Sequence, residues 1–112
     1  MTEAMQDTKP PVMPADEMAE RAEEAAAFLK ALSHEGRLMI LCHLSSGEKS
    51  VTALEDLIGV RQAAVSQHLA RLRSEELVAA RRDGKVIYYS IKDPKVRDMI
   101  ALVYEMFCGA PR

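Results

Sequence analysis

In "LVAARRDGKVIYYSI", Leu77 to Ile91, apolar residues return at every second position on either side of Asp83-Gly84. The rest of the chain returns its apolar residues at helical spacing. That change of period constrains the fold more than any other feature, because an alternating run forms a strand and not a helix. Asp-Gly between two such runs predicts a two-residue hairpin turn with positive φ at both turn residues.

Those helices can be read from caps and stripes. Asp16 caps a helix to about Leu32, with an inner face of Met18, Ala22, Ala25, Ala26, Leu29 and Leu32. Ser33 caps a second helix, His34 to Ser45, that carries Leu38, Leu41, Cys42 and Leu44 and stops at Gly47. Thr52 and Glu55 predict a capping box on a short helix through Leu54, Leu57 and Ile58, closed by Gly59. A fourth helix spans Gln62 to Glu76. After the hairpin, Asp93 caps and Pro94 opens a last helix with the stripe Val96, Met99, Ile100, Val103 and Phe107. Gly109 and Pro111 end it. The expected fold is mainly α with a β-hairpin wing, a winged helix-turn-helix of order α-α-α-α-β-β-α. Residues 1–15, with Pro10, Pro11 and Pro14, read as a disordered tail, and residues 16–110 as one domain.

The chain has 112 residues and only 4% aromatic content, so Leu, Val, Ile, Met and Ala must fill a small core. Cores of this size are often completed by a second subunit. No apolar leader follows the initial Met, and no run reaches the roughly 18 apolar residues of a membrane span. A cytoplasmic address without membrane contact is expected. Thiols there are mostly reduced.

Net charge is −2, but it is unevenly spread. Residues 1–30 carry three basic and seven acidic groups, and residues 61–92 carry seven basic and three acidic. A basic segment in an acidic protein is a candidate polyanion contact, although an ordinary solvated face gives the same pattern.

The basic segment holds "RQAAVSQHLARLRSEEL". Val65, Leu69, Leu72 and Leu77 fix one side of this helix to the domain. Gln62, Ala63, Ser66, Gln67, Arg71 and Arg73 lie on the other, with His68 at the boundary. Base edges in the major groove offer donors and acceptors, which Gln and Ser can match, and small Ala63 permits close approach. The arginines suit phosphates. Arg81, Arg82 and Lys85 surround the hairpin tip, where a wing would meet the duplex. A solvated amphipathic helix remains the competing reading; the basic hairpin favours DNA. Tyr88 and Tyr89 read as packing residues.

"ALSHEGRLMILCHL", "VRQAAVSQHLARLRSEELV" and "RRDGKVIYYSI" resemble the ArsR/SmtB family of bacterial winged-helix repressors over roughly residues 20–108. The resemblance implies a homodimer, with the first and last helices as its interface, on an inverted-repeat operator. It puts Gln62, Ser66, Gln67 and His68 in the reading helix. Arg61 departs from the Ser common at that position and cannot cap with its side chain; contact with a phosphate is the alternative.

Cys42 and Cys108 are the only cysteines. Separately they read as a small core residue and an incidental terminal residue. Some relatives bind metal through Cys-x-Cys in the short helix, but "TALEDLI" has no cysteine. Others use His on the last helix, but "PKVRDMIALVYEMFC" has none. A zinc site usually needs about three or four ligands, which here would mean recruiting His34 or His43, so no metal or cofactor is expected. A metal-responsive repressor and a general oxidant sensor remain alternatives. The thiol pair resembles a subgroup similar to BigR and SqrR, in which one cysteine lies on the second helix and the other near the end of the last. That resemblance implies a repressor whose inducer is a reactive sulfur species, a persulfide or polysulfide that links Cys42 to Cys108. An enzyme is not expected: a thiol oxidoreductase would want Cys-x-x-Cys or a neighbouring base, and neither is visible. A pure interaction module is the remaining rival.

Overall fold

The computed structural model describes residues 13–59 and 62–109, the side chains of Gln62 and Ala63 excepted. Most of the expected tail, Arg61 and residue 110 lie outside them. The described elements are α1 (Ala15–Leu32), α2 (Glu35–Leu44), β1 (Lys49–Ser50), α3 (Val51–Ile58), α4 (Gln62–Ser74), β2 (Val78–Asp83), β3 (Val86–Ile91) and α5 (Pro94–Cys108). Helices α3 and α4 followed by the β2–β3 hairpin give the expected winged helix-turn-helix order.

The described residues fall into two compact units that part between Lys30 and Ala31. The reason lies in α1. It buries only Ala31 and Leu32, both in the second unit, and leaves Met18 and Leu29 about half exposed. In the second unit, Ile40, Leu41 and Leu44 of α2 form a core with Leu54 of α3, Val65, Leu69 and Leu72 of α4, and Val96 and Ile100 of α5, and no polar residue is buried among the described residues.

Several caps differ from expectation by one or two positions. His34, not Ser33, caps α2: its backbone is extended, and Nδ1 accepts from the Gly36 N–H at 3.0 Å. Ser50, not Thr52, caps α3 by accepting from the Ala53 N–H at 3.1 Å. Glu55 therefore has no reciprocal box, and its Oε2 is buried without a hydrogen-bond partner. Asp16 sits within the first turn of α1. Asp93 caps α5 as expected, accepting from the Lys95 N–H at 2.9 Å.

The sheet has three strands in the order β1-β3-β2, all antiparallel. The short β1 was not anticipated; Lys49 pairs with Tyr89 and Ser50 with Tyr88. The hairpin turn lies one residue later than expected. Asp83 pairs with Val86, which leaves Gly84 and Lys85 as the turn. Only Gly84 has positive φ, +64°, so the turn takes Gly first and places Lys85 at the tip.

Helix α4 ends in a Schellman arrangement, with Leu77 N–H donating to Leu72 O and Glu76 N–H to Arg73 O. The left-handed position is occupied by Glu76 (φ +64°), where a glycine is usual. A Cβ there is strained, and the exposed pair of Glu76 with Lys92 offsets little of that. Glu76→Gly is expected to raise stability by up to about 1 kcal/mol, after the larger chain entropy of glycine in the unfolded state is counted. Urea unfolding checks it; a lower midpoint would contradict the strain.

Candidate DNA interface and thiol pair

Helix α4 divides as the sequence indicates. Val65, Leu69 and Leu72 are fully buried, while Ser66, Gln67, Ala70, Arg71 and Arg73 face solvent. Arg71 is held by Glu75 one turn later. Arg73 has no carboxylate partner among the described residues. Gln62 and Ala63 are in the first turn of α4, with no described side chains, and Arg61 lies outside the described residues.

His68 does not stand out with Ser66 and Gln67. Its ring packs at 4.5 Å between centroids from His34, the cap of α2. A Cβ added to Gly36 would come within 2.7 Å of His68 Nε2, so only glycine lets the ring sit there. These residues border a cavity of about 300 Å³ between α2, α3 and α4, which Met39, Ile58 and Ala64 also line. His68 thus joins α4 to α2.

Burial lowers the His68 pKa, and the nearby His34 and Arg37 lower it further. Glu35 is the carboxylate bordering the same cavity. With a depressed pKa, the native state resists a proton that the unfolded chain accepts. The related stability is complete above the ordinary histidine range and is lost as pH falls through the folded value. Acidification from about pH 7.5 to about pH 5.5 should lower the urea midpoint of the wild type more than that of His68→Gln. Equal losses would remove His68 as the cause.

On the wing, Arg81 makes a two-point pair with Glu48, its Nε donating to Oε2 at 3.2 Å, and lies 4.9 Å from the Tyr88 ring centroid. This pair holds the Glu48 carboxyl below its usual range. Arg82 and Lys85 are exposed, with no carboxylate partner among the described residues. The sequence-predicted cations therefore fall into two groups: Arg71 and Arg81 are engaged within the protein, whereas Arg73, Arg82 and Lys85 are free of such pairs. Glu48 and His34 were missed as partners because neither contact leaves a local signal.

Both cysteines are free thiols. Cys42 is half-buried near the end of α2, and Cys108 is the exposed last residue of α5. Helices α2 and α5 pack together. Burial pushes the Cys42 thiol pKa up, and the charge of Cys108 pushes it further. Among the described residues, no three His, Cys, Asp or Glu side chains gather into a group able to hold a metal. No helix among them is long and apolar enough to cross a membrane.

Residues 34–80 match the model of the bacterial regulatory protein, arsR family. The biofilm growth-associated repressor of Xylella fastidiosa, strain Temecula1, is 41% identical over 96% of this chain and 95% of its own length. The chain belongs to the ArsR family. It is a DNA-binding transcriptional regulator of that family and not an enzyme. The crystal structure of the transcriptional repressor BigR from Xylella fastidiosa shares 41% identity at a TM-score of 0.78, covering 88% of this chain and 100% of that one. Reduced HlyU from Vibrio cholerae N16961 shares 38% at 0.79, covering 82% and 97%. The winged-helix fold of this ArsR-family member is thereby shown.

Proposed function

We propose that this ArsR-family protein is a homodimeric repressor that releases an inverted-repeat operator when sulfane sulfur links Cys42 to Cys108. The observation that carries this reading is the packing of α2, which bears Cys42, against α5, which bears Cys108, with the Cys108 charge among the causes that raise the Cys42 pKa. Dimerisation draws support from apolar side chains left in solvent. On α5, Leu102, Met106 and Phe107 are 51, 63 and 80% exposed. On α1, Met18 and Leu29 form a second such surface.

In the reduced dimer the two copies of α4 enter successive major grooves, about 34 Å apart. Ser66 and Gln67 read base edges, joined by Gln62 and Ala63 in the first turn. Arg73, Arg82, Lys85 and Arg61 take phosphates. Arg71 and Arg81 exchange Glu75 and Glu48 for phosphate when DNA arrives. His68 supports the helix from behind.

The chemistry begins at Cys108, the exposed thiol, because burial keeps Cys42 protonated longer. The Cys108 thiolate attacks the outer sulfur of a persulfide RSSH, forming Cys108-S-SH and releasing RS⁻. The Cys42 thiolate then attacks the Cys108 sulfur and expels HS⁻, leaving a disulfide. The two thiols lose two electrons, and the sulfane sulfur gains them as sulfide. A second RSSH can first extend Cys108-S-SH to Cys108-S-S-SH, releasing RS⁻; attack of the Cys42 thiolate on the middle sulfur, again expelling HS⁻, then gives a trisulfide. Longer chains relax the direct-disulfide requirement that Cα atoms lie within about 7 Å.

The link fastens α5 to α2, and α2 meets α4 at its other end through His34 and His68. A displacement at Cys42 thus reaches the reading helix through one rigid rod. Treatment with a polysulfide donor should change the intact mass by bridge formation and abolish operator retention in a gel shift. Unchanged mass with undiminished retention would refute the proposal.

A further inference from the structure

We infer that the contact between His34 and His68 is an acid-sensitive latch: protonation below neutral pH unseats α4 from α2 and lowers its discrimination between operator and other DNA. The latch works without the thiols. It rests on α4 as the helix that reads the operator.

Two rings from different elements meet at one glycine. The His34 and His68 centroids are 4.5 Å apart, with the rings tilted by 50°. Both crowd Gly36: a Cβ there would lie 2.7 Å from His68 Nε2 and 3.4 Å from His34 Cε1. His34 is also the cap of α2, its Nδ1 accepting from the Gly36 N–H at 3.0 Å. Acceptance needs a lone pair on Nδ1, so the neutral ring carries its hydrogen on Nε2. A proton on Nδ1 ends the acceptance and leaves that N–H without its cap. A proton on His68 places a cation beside the same ring. With both rings charged, like charges face each other at 4.5 Å.

The surroundings give a charged ring little relief. Met39, Ile40, Ile58 and Ala64 line the rest of the adjoining cavity, and none of them solvates an imidazolium. From α3 only Ile58 borders it; Glu55 and Asp56 do not. Glu35 of α2 is the one carboxylate at the border, is exposed, and pairs with neither ring. Arg37 of α2 adds positive charge near His68. Arg71, one turn along α4, is held by Glu75. Separation of α4 from α2 is the relief that remains.

Linkage gives the sign. Burial, then His34 and Arg37, hold the seated His68 pKa below the ordinary histidine value. An unseated ring returns toward that value, so protons favour the unseated state, by at most about tenfold per pH unit for one ring. Ser66 and Gln67 immediately precede His68 on α4, so unseating displaces the groups that face the bases. Arg82 and Lys85 sit on the hairpin and keep their reach to phosphate. Acid therefore costs sequence discrimination rather than all binding.

The test takes a duplex selected by the wild type from a random library at about pH 7.5, and the same duplex with its half-sites scrambled. Anisotropy at one salt concentration gives the affinity ratio of the two at about pH 7.5 and about pH 5.5. The wild-type ratio should fall about fivefold on acidification. His68→Gln should hold its own ratio within about 1.5-fold over the same range. His34→Ser keeps a capping side chain and should match the wild type at the higher pH while falling less at the lower. A wild-type ratio that does not change, or an equal fall in His68→Gln, would overturn the latch and leave the reading of DNA by α4 standing. Loss of the helical far-ultraviolet signal at the lower pH would overturn it in favour of acid unfolding. A library that yields no preferred duplex would overturn both the latch and that reading.

Discussion

Cys42→Ser and Cys108→Ser should each leave reduced operator affinity within about twofold of wild type, and each should abolish release by a persulfide donor. In the wild type the proposed linkage should lower affinity 5- to 150-fold, a coupling of about 1–3 kcal/mol. Serine removes the sulfur without disturbing the packing, because Cys42 is only half-buried and Cys108 is exposed. The two variants also separate modification from linkage. Cys42→Ser keeps the exposed thiol and still gains persulfide mass at Cys108. Cys108→Ser retains only the thiol whose pKa is raised by burial, and it gains sulfur slowly. A gel shift paired with intact mass checks both. If Cys42→Ser, carrying sulfur on Cys108 alone, releases its operator like the wild type, a charge or bulk effect at the α5 terminus replaces the tether as the cause.

The hairpin was legible because alternation over Leu77 to Ile91 is long enough to set a face, and Ile91 and Val78 are buried as that pattern requires. Its turn was displaced by one residue, since Asp83 keeps its pairing to Val86 and only Gly84 takes the left-handed conformation. The caps slipped for a related reason. Ser33 and Thr52 have suitable side chains, but capping needs an extended backbone immediately before the helix, and that belongs to His34 (ψ 131°) and Ser50 (ψ 165°). Strand β1 has two residues, too few to show any period. The stripe on α1 was read correctly as apolar, but periodicity does not say what covers a face, and Met18 and Leu29 remain in solvent. At the site, the inward and outward sides of α4 follow from Val65, Leu69 and Leu72. The pairings His34–His68 and Glu48–Arg81 join residues more than thirty positions apart, and no local rule reports them. The likeness to known thiol sensors, not spacing, first paired Cys42 with Cys108.

The division of labour on the DNA side predicts opposite behaviour for two exposed residues. Gln67 has no part in the core, and its amide can pair with an adenine edge in two-point fashion. Gln67→Ala should cost about 1–3 kcal/mol on the native operator, roughly 5- to 150-fold, and much less on an operator changed at the contacted base pair. Its salt dependence should be unaltered, because no phosphate contact is lost. Arg82 lies on β2 near the turn, exposed and without an internal carboxylate, so its charge is available to a phosphate. Arg82→Ala should weaken binding to every sequence alike and reduce the slope of log K against log salt by about 1. Arg81→Ala provides the contrast: Glu48 already neutralises that guanidinium, so its removal should flatten the slope less than loss of Arg82. Fluorescence anisotropy across a salt series on native and single-substituted operators resolves all three. Were Gln67→Ala to weaken all operators equally and lower the salt slope, α4 would be lying along the backbone and the wing would have to carry the sequence preference.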